Sequence, residues 1–462
     1  MKKITITLQD LFNMPTASIY NPDDYKSALH VTIDSREVKP NSIFIAIQGE
    51  KFNGHDFVEE ALAKGANAVI INEDELKKYE NCDGTIVTVE NTIQALGDLA
   101  NAWRKKLSAK VIGITGSNGK TTTKEILLVL LSEKFKVQAT VRNNNNHIGV
   151  PLTIFSCNEK HQVLIAETGT NHFGEISYSS KILQPDYALI TNIGASHLEY
   201  LKDLQGVKKE KIALFDETAK NKGLIFINTD DTRLRPLVNK YKNISFGFKN
   251  DAEVKASIIG FTNDGKTILR IQNKKTSLVC ISPLLGEHNA KNLSAAIVIA
   301  LKLGLTKREI LNGIDKIKPV KQRLNTKQYE NVLLIDDTYN ANPQSMKAAF
   351  EAAKMISLYP KKIAVLGDMF ELGTESKKEH KLLATSIKKN KIDEVYLLGK
   401  QMKNLAEKLQ AEKISCKHFS TREKLGNFLD NYSLQNLVVL VKGSRGMKME
   451  EFVNQIERKL QN

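Results

Sequence analysis

Lys120 is the residue in this chain most plainly placed to do chemistry. It lies in "VIGITGSNGKTTTKEILLVLL", Val111 to Leu131, where an apolar run meets a Gly-rich turn and then a helical pattern. A strand feeding such a turn and a helix offers backbone N–H groups and a helix dipole to an anion. Gly116 and Gly119 let the backbone curl closely, and Ser117 and Asn118 lie between them. Lys120 can then reach terminal phosphates, and Thr121 can bind Mg²⁺ through its hydroxyl, with Thr122 following. The strict GxxxxGK[ST] pattern is not met, because Ile114 stands where its first glycine belongs. The alternation of strand, turn and helix therefore carries the assignment, against the plainer reading of a simple strand-to-helix turn.

A triphosphate site also needs metal ligands, and carboxyl ends of strands are where an open α/β sheet gathers them. "LIAETG" ends an apolar run with Glu167, and "NIGASHLEY" puts His197 just past another. Either alone is an ordinary polar residue. Together, near a phosphate loop, they fit Mg²⁺.

The elements that must hold these residues alternate short apolar runs with helical patterns, which predicts an α/β protein with mostly parallel sheets. The chain of 462 residues exceeds one ordinary core. Residues 1–107 carry "HVTIDS", "SIFIAI" and "NAVII" as strands and "DFVEEALAKGA" as a helix. Residues 108–318 carry the loop, then the strands "QVLIAETG", "YALITNIG" and "GLIFIN", and a helix from Asn289 to about Leu303. Within them, "KASIIGFTNDGKTILRIQ" reads as a hairpin about Asn263-Asp264-Gly265. The basic, Pro-containing "KIKPVKQR" marks a second boundary. Residues 319–462 carry "NVLLIDD", "KIAVLGD", "EVYLLG" and "LVVLVKG", a doubly wound sheet of Rossmann type. The expectation is three domains: a small N-terminal α/β domain, a central P-loop-type domain and a Rossmann-like C-terminal one.

Composition narrows the class. Hydrophobic residues make 41% and charged residues 26%, an ordinary globular balance. Four scattered cysteines without a CxxC pair argue against a zinc site or disulfide framework and suit a reducing cytosol. The first twenty residues lack an apolar leader core, and no long apolar run predicts a membrane span. The net charge of +15 is spread over lysines without interleaved aromatics, which disfavours a nucleic-acid-binding ATPase. A solvated Lys-rich surface explains it, with steering of an anionic substrate as the alternative.

Taken together the motifs resemble the Mur ligase family, ATP-dependent enzymes that build the peptide of bacterial peptidoglycan. "GITGSNGKTTTKEIL" is similar to the family's ATP loop, and "IDSREVKPNSIFIAIQGEKFNGHDF" to its UDP-substrate domain. "AETGTNHFGEI" and "NIGASHLEYL" resemble its metal-binding strands, and "GEHNAKNLSAA" and "KQRL" its adenine-side helix and arginine turn. "LIDDTYNANPQSM", "GDMFELG" and "KGSRGMKMEEF" resemble its C-terminal domain, in the style of members that add D-alanyl-D-alanine. A "DYAHTPD"-like stretch and a D-x-P-R motif, which would mark the member adding the third peptide residue, are absent. That sister ligase and a polyglutamate-type ligase are the competing readings.

The resemblance implies transfer of the ATP γ-phosphate to the carboxylate of UDP-N-acetylmuramoyl-tripeptide, then attack on the acyl phosphate by the amine of D-Ala-D-Ala. It implies a catalytic set of Lys120, Glu167, His197 and Lys211, with two Mg²⁺ held through Thr121, Glu167, His197 and a carbamylated Lys211. Lys211 lies in the Lys-rich "KKEKIALF", so a solvated lysine is its alternative. ATP would meet residues Gly116 to Thr122, Asn289, Asn292, Arg323, Asp337, Tyr339 and Asn340. Helix capping is the alternative for His288 and Asn289, and for one of Asp336 and Asp337. Ser35, Arg36, Gly54 and His55 resemble the UDP pocket, and Thr140, Asn143, Asn145 and Asn146 a loop facing the UDP-sugar. Asn342, Ser345 and Arg445 would approach the dipeptide. The reading expects no nucleic-acid partner, no membrane insertion, and a monomer in the bacterial cytoplasm.

Overall fold

A computed structural model of the chain describes residues 4–49, 52–142, 144–249 and 252–461. It divides into two compact units, one of Met1–Thr115, Phe135–Leu189 and Glu210–Ile225, the other of Gly116–Lys134, Ile190–Lys209 and Phe226–Asn462.

In the first unit, β1 (Ser18–Tyr20), β2 (His30–Thr32), β3 (Ser42–Ile45), β4 (Ala66–Asn72) and β5 (Thr85–Val89) form a sheet in the order β1-β5-β4-β3-β2. Only β1 runs antiparallel to its neighbour. Alternate residues of these strands serve different cores. Ile43, Ile45, Ala68 and Ile70 pack with the long helix Thr92–Lys106, while Phe44, Val69 and Ile71 pack with the short helix Val58–Ala63. Burial on both faces explains why such strands read as unbroken apolar runs. The expected helix at "DFVEEALAKGA" begins as a 3₁₀ turn, Gly54–Phe57, because Asn53 accepts the His55 N–H.

The same unit holds β6 (Lys110–Thr115), β7 (Val137–Ala139), β8 (Val163–Glu167) and β9 (Tyr187–Ile190) in the order β9-β6-β8-β7. Trp103 locks the long helix down, its indole N–H donating to the Cys157 carbonyl at 2.9 Å. Glu210, 4% exposed on the helix Leu204–Lys220, accepts N–H bonds from Gly174 (2.7 Å) and Ile176 (2.8 Å) at the start of the helix Glu175–Leu183. A carboxylate there offsets that helix's dipole and its orphan donors. Glu210→Ala is expected to cost about 1–3 kcal/mol in urea denaturation, since the buried Ile176 N–H loses its acceptor. Glu210→Gln, which keeps one acceptor oxygen, should cost less.

At β10 (Leu224–Asn228) the chain passes from the first unit to the second. There it joins β11 (Asn243–Gly247), β12 (Val254–Phe261), β13 (Lys266–Gln272) and β14 (Ser277–Leu285) in the order β14-β13-β12-β11-β10. The hairpin forms as expected, with Gly265 at φ 80° in its turn. Strand β14 adds a third antiparallel strand that the sequence reading did not anticipate.

The last sheet takes β15 (Asn325–Gln328), β16 (Val332–Asp337), β17 (Lys361–Gly367), β18 (Glu394–Leu398), β19 (Ser415–Phe419) and β20 (Leu437–Lys442) in the order β15-β16-β20-β17-β18-β19. All pairs are parallel except β15 with β16. Leu333, Ile335, Val438 and Leu440 face one core, and Leu334, Val439 and Val441 the other. No helix among the described residues is long and apolar enough to cross a membrane.

Candidate active site

The Gly-rich loop follows β6 and belongs to the second unit. The helix Lys120–Ser132 starts at Gly119, whose φ of 83° no side chain tolerates easily, and no side chain caps it. Gly116, at φ 150°, has its Cα so close to Thr191 that a Cβ would lie 1.9 Å from the Oγ1. Lys120 bends back so that its Nζ donates to the Gly116 carbonyl at 2.7 Å. Ser117 donates from its hydroxyl to the Gly194 carbonyl (2.8 Å) and accepts that residue's N–H (2.9 Å). The Asn118 N–H donates to Asn192 Oδ1 at 3.1 Å, and its carbonyl accepts from the Thr191 hydroxyl and the Asn192 amide. The loop is thus shaped by the polar segment after β9 as well as by its own glycines. Thr122 is buried.

Three further sets of expected residues meet this loop. Asn292 packs against Gly119, where a Cβ would fall 2.5 Å from its Oδ1, and donates to Asn289 Oδ1 at 3.1 Å. Asn289 in turn donates to the Leu285 carbonyl at 2.8 Å. The helix they share, Glu287–Lys302, has Gly286 at its N-cap, so neither His288 nor Asn289 caps it. Arg323 donates to the Thr121 hydroxyl at 3.3 Å and lies over the Tyr339 ring at 4.0 Å. Asn342, expected near the dipeptide, donates to Asn118 Oδ1 at 2.8 Å, and Asn118 donates to Gln344 Oε1 at 2.9 Å. Asn342 also caps the helix Pro343–Lys354 in a reciprocal box with Ser345. That leaves Asp336 and Asp337 without a capping role there. Asp336 accepts from the Thr338 hydroxyl (2.6 Å), and Asp337 pairs with Lys442 Nζ (2.6 Å).

The carboxyl ends of β16, β17 and β20 are tied together. Ser444 Oγ accepts the Phe370 N–H at 2.8 Å and donates to the Ala341 carbonyl at 3.3 Å. The Ser444 N–H donates to the Asp368 carbonyl at 3.0 Å. Asn340 Oδ1 accepts the Arg445 N–H at 3.3 Å, and the exposed Arg445 side chain reaches Gln322 Oε1 at 3.0 Å. His197, at φ 52°, places its Nδ1 3.0 Å from Glu371 Oε2, and Glu371 also has a left-handed backbone. The imidazole holds the Glu371 carboxyl below its ordinary range.

Buried His380 pins the same loop, its Nε2 accepting the Met369 N–H at 3.0 Å and its Nδ1 facing the Ser376 carbonyl at 2.7 Å. Burial lowers its pKa from the ordinary 6.5. Below pH 6.5 the unfolded chain takes up a proton that the folded chain resists until its lower pKa, so stability falls with acid across that window. The urea midpoint is expected to drop between about pH 7 and pH 5, and to drop less in His380→Gln, where nothing titrates.

In the first unit, the polar loop before the helix Gly149–Phe155 meets the end of β8. Asn145 donates to Glu167 Oε1 at 2.8 Å, and Thr140 Oγ1 accepts the Glu167 N–H at 3.0 Å. Asn146 accepts the Gly149 N–H at 2.8 Å. Asn143 lies outside the described residues. Lys211 is 1% exposed, which removes the solvated alternative for it. Near the N-terminal sheet, Arg36 is exposed and paired with Asp34, whose carboxyl it holds down at about 2. Ser35 Oγ lies 3.5 Å from Glu60 Oε2. Gly54 has no room for a Cβ, which would sit 2.5 Å from Ile47 N. His55 is buried, its Nε2 accepting the Asn72 N–H at 3.0 Å, so its ring is engaged within the fold.

Gln344, Glu371 and Lys442 were missed as individual residues, although each stands in a stretch singled out as family-like. The signal for Lys442 was present: a charge closing the apolar run "LVVLVK" has to be paired where that strand ends.

Three family models cover most of the chain: the Mur ligase family catalytic domain over residues 29–104, the Mur ligase middle domain over 114–300, and the Mur ligase glutamate ligase domain over 322–445. The UDP-N-acetylmuramoyl-tripeptide–D-alanyl-D-alanine ligase of Bacillus subtilis is 33% identical, with 97% of this chain and 98% of the relative covered. A crystal structure of MurF from Acinetobacter baumannii superposes with a TM-score of 0.89 at 30% identity, covering 99% of this chain and 100% of that one. The MurF ligase of Thermotoga maritima in complex with ADP gives 0.80 at 30% identity, covering 94% and 98%. The chain belongs to the Mur ligase family. Its fold is the three-domain α/β arrangement of that family, with mostly parallel sheets.

Proposed function

We propose that the chain is an ATP-dependent ligase that joins D-alanyl-D-alanine to UDP-N-acetylmuramoyl-tripeptide, giving the pentapeptide precursor of peptidoglycan. The observation that carries this is the phosphate loop, held by Asn192 on one side and by Asn342 and Gln344 on the other. Two anions, a triphosphate and a carboxylate, must meet in the first step, so fixed positive charge has to lie between them. Lys120 supplies it once it leaves the Gly116 carbonyl for phosphate oxygens, and Arg323 flanks the same loop. The carboxylate oxygen attacks the γ-phosphorus and ADP leaves. The dipeptide amine then adds to the acyl carbon and gives up a proton, and the C–O bond breaks to release inorganic phosphate, leaving the amide.

The oxygens of Thr121 and Glu167 are of the type Mg²⁺ prefers. No three His, Cys, Asp or Glu side chains gather as a metal site among the described residues. A carbamate on buried Lys211 would add an anionic oxygen donor to Thr121, Glu167 and His197. Bound Mg²⁺ would supply charge neutralisation at the phosphates. We assign residues 1–107 to the UDP-substrate, 108–318 to ATP, and 319–462 to adenosine and dipeptide. Ser35, Arg36, Gly54 and the Thr140–Asn146 loop belong to the UDP side, with buried His55 supporting it from within the fold, and Ser345 and Arg445 to the dipeptide side. The enzyme acts as a monomer in the cytoplasm, where its substrates are soluble. Mixing it with ATP, Mg²⁺, UDP-N-acetylmuramoyl-tripeptide and D-Ala-D-Ala should yield the pentapeptide by mass. Product only with a single amino acid in place of the dipeptide would overturn the reading.

A further inference from the structure

Asp337 closes β16, and in the parallel register of the sheet its partner on β20 is Lys442. Lys442 is 1% exposed at the end of a strand that is otherwise apolar and buried. Its ammonium lies 2.6 Å from Asp337 Oδ2 and donates to the Asn340 carbonyl at 2.9 Å. The other oxygen, Asp337 Oδ1, accepts the Leu324 N–H at 3.1 Å. A carboxylate offers about four acceptor positions, two on each oxygen. Each oxygen of Asp337 is therefore held once by the protein, and the group cannot turn. Counted this way, each oxygen keeps one acceptor position beyond the contact it makes in the fold. Such a pair matches two hydroxyls on adjacent carbons. A buried ammonium is costly unless its acceptors are fixed, so its presence here has a use beyond packing.

We propose that Lys442 is a positioning residue that clamps the Asp337 carboxylate so that it reads the vicinal diol of the nucleotide's ribose. The proposal rests on the reading of Asp337 as a nucleotide-side residue, and deepens it by naming what fixes its specificity. Without the clamp the carboxylate is free to rotate, and discrimination for the diol is lost. The phosphate contacts at Lys120 and Arg323 are untouched.

The test is calorimetric titration of the full chain with Mg-ATP and with Mg-2′,3′-dideoxyATP. The unaltered protein should prefer ATP by about tenfold or more, the worth of hydrogen bonds to a charged group. Lys442→Met should lose that preference while binding dideoxyATP as the unaltered protein does. Lys442→Gln, which keeps a donor for the Asn340 carbonyl, gives the same reading if the methionine variant does not fold. A Lys442 variant that weakens both nucleotides equally and keeps the preference would make the lysine merely structural and overturn the proposal. Asp337→Asn separates the two layers. If it keeps the preference, Asp337 does not read the ribose and both readings fall. If it loses the preference while Lys442→Met keeps it, only the clamp falls.

Discussion

Lys120→Ala is expected to lower turnover by about a hundred- to a thousandfold, the usual cost of removing one charged donor from a developing anion. Binding of the UDP-substrate should stay within about twofold of the unaltered protein, because Lys120 stands in the Gly-rich loop and not among the residues assigned to the UDP side. Its bond to the Gly116 carbonyl is local to the loop. Steady-state kinetics with a fluorescence or calorimetric titration of the UDP-substrate checks both halves. Equal losses in turnover and in UDP-substrate affinity would mean that the loop is structural and that the catalytic assignment is wrong.

Gly119→Ala should be nearly as damaging by a different route. The backbone at φ 83° disfavours any side chain, at a cost of about 1 kcal/mol. The new methyl would also fall 2.5 Å from Asn292 Oδ1. Either the loop opens or the asparagine pair with Asn289 shifts, and both belong to the nucleotide reading. ATP affinity is expected to fall by about tenfold or more, with a loss of about 1–3 kcal/mol in urea denaturation. Unchanged ATP affinity in a folded Gly119→Ala variant would show that the turn does not hold phosphate.

The parts of the fold that were legible were those with a strong local period or a strong punctuation. Strands β16, β17, β18 and β20 are buried on both faces and bounded by Gly or Asp, so each stood out as an apolar run. The hairpin was announced by Asn263-Asp264-Gly265. Strand β14 was missed because its outward residues Val279 and Ile281 are apolar too, which hides the alternation that marks a half-buried strand. The edge strands β15 and β19 were missed because "NTKQ" and "SCKHF" carry polar side chains on exposed positions.

In the site, the glycines and Lys120 were legible because a turn of that shape needs them. Partners far along the chain were not: the Asn118 link to Asn342, the Lys442 clamp and the Glu371 approach to His197 depend on which strand ends become neighbours. The capping alternative for Asp336 and Asp337 falls for a local reason: Asn342, the last residue before the helix, takes that role.

Ser444 has a consequence for how the C-terminal sheet can move. One hydroxyl and one amide join the ends of three parallel strands, so no single loop there can shift without breaking bonds to the other two. The rim is thereby held as one piece, so a change at Ser444 is felt at the ends of all three strands rather than at one loop.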